Sequence, residues 1–224
     1  MDAHRQHWNK QQQLFRQALV SKSDHQETMR LFLSQHAMVH SAAMSHSEVR
    51  SFEDEICEGL SDIQLRSRPG GVTNSIAWLI WHIARIEDVT MNLLVAGRPQ
   101  VLDEDDWAGQ LRLSRRDVGT SMSEIEVADF SNQVDCSALR AYRIAVGLRT
   151  REIVSALQPA ELWEHIDPTN VYRLTAAGAL ADAAYELAQV WSGWQKAGML
   201  TMPATRHSFT HLNEAYRVRK NLIK

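Results

Sequence analysis

An all-α fold built as a helical bundle is what three features of this 224-residue sequence predict. Only 10 Gly and 5 Pro punctuate the chain. Between them apolar residues recur at three- and four-residue intervals, the period of a helix face, and do not alternate as a half-buried strand requires. Capping and stop residues bracket these stretches. With 44% hydrophobic and 23% charged residues the composition is that of a folded globular chain, which excludes disordered and collagen-like readings. The length suits one domain with extensions, with a core that needs no staples.

The first element is a short polar helix ending near Ser21, with Trp8, Phe15 and Leu19 on one side. Residues 1–23 are therefore read as an N-terminal helical extension or docking arm, and residues 24–224 as the bundle. Asp24 followed by Glu27 opens a long helix carrying Leu31, Leu33, Ala37, His40, Met44, Phe52, Glu55 and Ile56, bent near Ser45 and ended by Gly59 and Ser61. After Arg68-Pro69-Gly70-Gly71, Thr73 or Asn74 caps the most apolar helix, which runs to Ala96 and stops at Gly97. Asp103 to Gly119 is charged and irregular, and Ser123 with Glu126 caps a minor helix to Asn132, so this stretch reads as an insertion. Asp135 or Ser137 opens a third long helix with Leu139, Tyr142, Val146, Ile153 and Leu157 inward and Arg140, Arg143 and Arg151 outward. A further helix is expected from Thr175 to Ala197, and a final one from Pro203 to about Asn221. Four long helices with extra short ones make a four-helix bundle, whose facing side chains can build a site.

Several function classes fall away on composition. Lys plus Arg at 24 against Asp plus Glu at 27 gives a net charge of -3, so there is no basic excess to neutralise a phosphate backbone and no nucleic-acid partner is expected. The most apolar stretch, Ile76 to Ala84, is broken by His82 and falls short of the ~20 residues of a membrane span. No secretion signal is read in Met1 to Gln13, and Cys57 and Cys136 lack CxxC spacing, which together fit a reducing cytoplasm. No Gly-rich phosphate loop or Ser/His/Asp arrangement is evident.

What remains is histidine. His207 and His211 are four residues apart on the final helix, so their rings lie one above the other on one side. Neutral imidazole is the commonest ligand of zinc and similar ions, and such a pair chelates from a single element. A third ligand is offered by His82, whose helical neighbours Trp78, Leu79, Ile86 and Val89 are apolar while Arg85 and Asp88 lie more to the side. By spacing alone a lone inward His is more often a hydrogen-bonded core residue, and HxxxH occurs by chance on solvated helices.

The segment from Gly70 to Asp88, with Thr73-Asn74-Ser75-Ile76-Ala77-Trp78-Leu79-Ile80-Trp81-His82-Ile83-Ala84-Arg85 at its centre, resembles the second bundle helix of the DinB-like (YfiT-like) metalloprotein superfamily. The resemblance extends over roughly Leu31 to Lys224. It implies a metal-binding His on this helix, matching His82, and an HxxxH pair on the last bundle helix, matching His207 and His211. It further implies a divalent ion, zinc or nickel first and iron after them, and a thiol-dependent transferase using a low-molecular-weight thiol such as mycothiol, bacillithiol or glutathione. Relatives that serve ergothioneine sulfoxide synthesis carry a second, larger domain for which this chain is too short.

Three His ligands leave a position open for water or thiolate, the mark of a catalytic ion. The leading expectation is thus a metal-dependent transferase or hydrolase acting on a small molecule. Its competitor is a non-enzymatic stress or binding module with a structural or vestigial metal, its Trp-rich helices pairing two copies as a homodimer. Glu214 lies near the same side as His207 and His211 and is the candidate catalytic group, orienting a ring or relaying a proton, although Arg217 offers it a surface ion pair. Tyr142 could donate to substrate or simply pack. His40 reads as a hydrogen-bonded core residue, and His4, His7, His25, His36, His46 and His165 as surface or core residues without a paired spacing on a persuasive apolar face. Trp78 with Trp81 and Trp191 with Trp194 read as core or subunit packing, and Cys57 as a packed thiol.

Overall fold

The structure, a computed structural model, describes residues 2–21, 24–46 and 50–223. The side chain of His4, and Met1, Lys22 and Ser23 of the expected extension, lie outside the described residues. The fold is all-α. Among the described residues β-pairing is limited to one isolated bridge between His165 and Gln195.

Helix α1 (Asp2–Val20) and α2 (His25–Met38) pack side by side. Although mostly polar, α1 lies on the body of the protein. Trp8 is fully buried and stacks on Phe209 with ring centroids 3.8 Å apart, while Phe15 meets Phe32 at 5.9 Å. Asp24 caps α2 by accepting from the Glu27 amide, as the sequence predicts. The long helix expected from Asp24 to Gly59 is instead broken into α2 and the short turns Ala42–Ser45 and Phe52–Cys57. The cause is local: Ser41 and Ser51 each accept a downstream amide as a fresh N-cap, and His46 adopts a left-handed conformation at φ 51°.

Helix α3 (Ile76–Asp88) is capped by Ser75, one or two residues beyond the expected Asn74 or Thr73. It continues through wide π-type turns over Val89–Ala96 and ends at left-handed Gly97, matching the expected span. All thirteen residues of α3 are buried, so it is the central rod. The insertion yields α4 (Glu124–Gln133), held by the predicted Ser123–Glu126 capping box. Helix α5 (Cys136–Ala156), capped by Asp135, packs along α3.

The single helix expected from Thr175 to Ala197 does not form. Pro168, placed at a first turn by Asp167, starts α6 (Pro168–Ala176) earlier, and Gly178 at φ 61° ends it. Helix α7 (Glu186–Ser192) follows, then α8 (Lys196–Thr201), which passes into α9 (Ser208–Leu222) through wide turns over Met202–His207. Pro203 therefore sits inside a continuous run instead of opening one. It has no N–H to give, and the wide turns accommodate it; two residues on, the Thr205 hydroxyl donates to the Leu200 and Thr201 carbonyls at 2.9 and 3.1 Å. Helix α2, α3 with its extension, α5 and the α8–α9 run are the four principal members of the bundle. Among the described residues no helix is long and apolar enough to cross a membrane.

Candidate metal centre

His82 projects from the middle of α3, and His207 and His211 lie where the wide turns pass into α9. The three rings converge: centroids are 5.0 Å apart for His82 and His207, 4.9 Å for His82 and His211, and 4.6 Å for His207 and His211. Each offers a nitrogen within 4.8 Å of the other two, so the group could hold one metal ion.

The remaining ring nitrogens fix how the imidazoles face this point. His82 Nδ1 lies 2.6 Å from the Val118 carbonyl. A carbonyl only accepts, so Nδ1 carries the hydrogen and Nε2 keeps its lone pair. His211 Nδ1 lies 3.0 Å from Glu214 Oε2, and Asn74 Nδ2 donates to Glu214 Oε1 at 2.8 Å. This is the carboxylate–imidazole pairing that orients metal-binding histidines. His207 Nδ1 is buried and has no protein partner among the described residues, an orphan that coordination would satisfy.

Electrostatics agree with the geometry. Burial, then the nearby His211, pushes His82 down to about 4. Burial also holds His207 well below its ordinary value, with His82 and His211 adding to the effect. Both are therefore neutral near pH 7, the form that binds metal. For Glu214 burial favours the neutral form, but hydrogen bonds from His211 and Asn74 outweigh it and keep the carboxyl below the usual range.

The histidines open onto a cavity of about 630 Å³. Trp78 lines it and stacks on His82 with centroids 4.9 Å apart and planes within 6°. Trp191 and Trp194, expected only to pack, line it too. Trp81 is a core residue against Phe130. Gly119 on the rim has φ 79° and faces the Trp81 ring, so a side chain there would be both strained and crowded.

Other expected residues lie elsewhere. Tyr142 is fully buried, donates to Asp88 Oδ2 at 2.6 Å and accepts from Arg85 Nη1 at 2.9 Å, so its hydroxyl is spent inside the bundle. Arg85 and Asp88, expected to the side of His82, are wholly buried, and Arg85 donates to Asp88 Oδ2 and Gln100. Cys57 is held by burial near a thiol pKa of about 12 and is no nucleophile. Among the described side chains, His7, His46 and His165 are exposed and His25 is half-buried.

A second polar cluster has no counterpart among the expected sites. His36 and His40 are themselves an HxxxH pair, both fully buried. Their Nε2 atoms lie 2.7 and 2.9 Å from the two oxygens of Glu87, also fully buried. Arg143, expected on the outer side of α5, is buried as well and donates to Glu87 Oε2 at 2.7 Å. Gly147 admits this cluster, since a Cβ there would lie 2.7 Å from His40 Nδ1. The ligand-type atoms of His36, His40 and Glu87 are within 4.8 Å of one another. Each Glu87 oxygen is already engaged, however, and the Arg143 cation stands where a metal's charge would be repelled, which makes this a closed charge network.

A family model described as the DinB superfamily matches residues 45–189, which include His82 and stop short of His207 and His211. No curated protein matches the chain.

Proposed function

The chain belongs to the DinB superfamily, and on that premise we propose that His82, His207 and His211 hold a divalent ion, zinc or nickel, in an enzyme that transfers a thiol to, or hydrolyses, a small molecule. The observation that carries this reading is the convergence of three imidazoles, two of them held neutral by burial, on the wall of a cavity large enough for a substrate. A bound divalent ion supplies a Lewis acid that lowers the pKa of a thiol or water and so provides a nucleophile at neutral pH.

The chain's own groups do the rest. The Val118 carbonyl fixes the His82 tautomer, and Glu214 fixes that of His211 while Asn74 restrains the carboxylate. On this reading Glu214, an ionised carboxylate bonded to His211, orients that ring and accepts a proton at the edge of the site. Trp78 keeps water from one face of His82.

Metal analysis of the purified protein tests the assignment: about one ion per chain is expected, lost in His82→Ala. In the cobalt-substituted protein, added small thiol should raise a sulfur-to-metal charge-transfer band. Unchanged metal content in His82→Ala would end the ligand assignment, and a cobalt protein blind to thiols would remove the transferase reading.

A further inference from the structure

We infer that the substrate held beside the three histidines is an uncharged aromatic molecule, flat enough to lie against indole rings and bearing a neutral hydrogen-bonding group. This deepens the function proposed above and rests on it in taking this cavity as the substrate's place.

Three tryptophans, Trp78, Trp191 and Trp194, line the cavity. Facing chemistry is supplied by Asn74, Thr120 and Ser121, all neutral donors or acceptors. Among the described residues that line the cavity none is Lys, Arg, Asp or Glu. A phosphate, a carboxylate or an ammonium on the ligand would therefore lose its hydration without meeting an opposite charge on these walls, which is unfavourable. A planar apolar body carries no such cost and gains contact with the indole side chains that line the cavity. Charge is confined to the histidine end, where the imidazole cluster and the Glu214 carboxylate bonded to His211 and Asn74 stand and where the reacting atom belongs. A thiol carrying several carboxylates and an ammonium finds no partner along the walls, so the cavity is shaped for the acceptor, with the charged parts of such a thiol left in water.

The test is calorimetric titration of the full chain, first stripped of metal by chelator so that no ion attracts an anion. The probes are 2-naphthalenemethanol and 2-naphthyl phosphate, which share a ring system and differ in charge. The alcohol should bind at least tenfold more tightly than the phosphate, and Trp191→Ala should weaken it about tenfold without changing zinc uptake. Trp194→Leu serves as a second variant should Trp191→Ala lose its helical circular dichroism. Equal or tighter binding of the phosphate, or alcohol binding indifferent to the tryptophan variants, overturns the inference. Zinc binding measured in parallel separates the two claims. A protein that takes up zinc but not the alcohol refutes the substrate class alone. One that binds the alcohol but no zinc refutes the metal reading and supports the aromatic cavity.

Discussion

Replacing Arg143 by Met removes the guanidinium that faces Glu87 and leaves a buried carboxylate without its cation. Arg143 is fully buried and donates to Glu87 Oε2 at 2.7 Å, to Glu53 Oε2 at 3.4 Å, to the Val39 carbonyl at 3.2 Å and to Ser208 Oγ at 3.3 Å. Methionine fills a similar volume, so the loss is mainly the uncompensated charge on Glu87, a class of change that costs about 3–5 kcal/mol. For a chain of this size that is roughly 6–20 °C in melting temperature. The pH dependence makes the prediction specific. Burial, and after it Arg143, pushes His40 down to about 3. Without the guanidinium the His40 pKa rises, the folded state takes up a proton beside Glu87, and stability returns as pH falls. Urea unfolding should therefore show the full deficit near pH 8 and a smaller one near pH 6. The double variant Arg143→Met with Glu87→Gln, which removes both charges, should recover most of the loss at either pH. A deficit below about 1 kcal/mol, or one that grows on acidification, would refute the idea that Glu87 is a carboxylate compensated mainly by Arg143.

Three further outcomes are expected. In the native protein, whose His40 is held down to about 3 while an unfolded chain protonates near 6.5, acid favours the unfolded state, so stability should fall steadily from pH 6.5 toward 3 by on the order of 5 kcal/mol from this group alone; a flat unfolding midpoint over that range would contradict it. Glu53 works in the opposite direction: burial raises it to about 7, so its contribution is present below the unfolded value of about 4.5 and lost as pH rises through 7, and Glu53→Gln should lessen the decline on that limb in denaturant titrations. Glu214→Gln should weaken zinc affinity 10- to 100-fold, read by competition with a chromophoric chelator, because it removes the anion that orients His211.

The sequence exposes the three-histidine group because its signals are local. His207 and His211 share a helix side by spacing, and His82 lies among apolar residues on a helix with a clear stop at Gly97. The buried charge network is hidden for the opposite reason. Glu87 and Arg143 look like solvated flanks on any one helix, and only the approach of α3 and α5 turns them into partners. His36 and His40 carry the same four-residue signal as His207 and His211, but their carboxylate partner, Glu87, lies 51 and 47 positions away, beyond the reach of any spacing rule. Helix ends mislead where competing caps exist: Ser41 and Ser51 divide one expected helix, and Gly178 divides another. Pro203 reads as a start because a proline in mid-helix normally breaks it, and the wide turns that absorb it leave no pattern in composition.

The two clusters are parts of one construction. His82 and Glu87 stand on the same helix, and Ser208, which accepts from Arg143, directly follows His207. The guanidinium thus ties α3 and α5 to the start of α9 beside a candidate ligand, while His36 and His40 fasten α2 to the same carboxylate. Apolar packing alone would tolerate sliding of these helices by fractions of an ångström at little cost, whereas a buried carboxylate with three donors, from α2, the bend just after it and α5, does not. Three imidazoles from two separate helical runs need that restraint, since a metal site loses function through displacements smaller than a side chain. On this argument the hydrogen bonds and charge pairing among Glu87, Arg143 and two histidines are what fix the register of α3 against the start of α9, and the geometry of the candidate metal centre at His82, His207 and His211 depends on it.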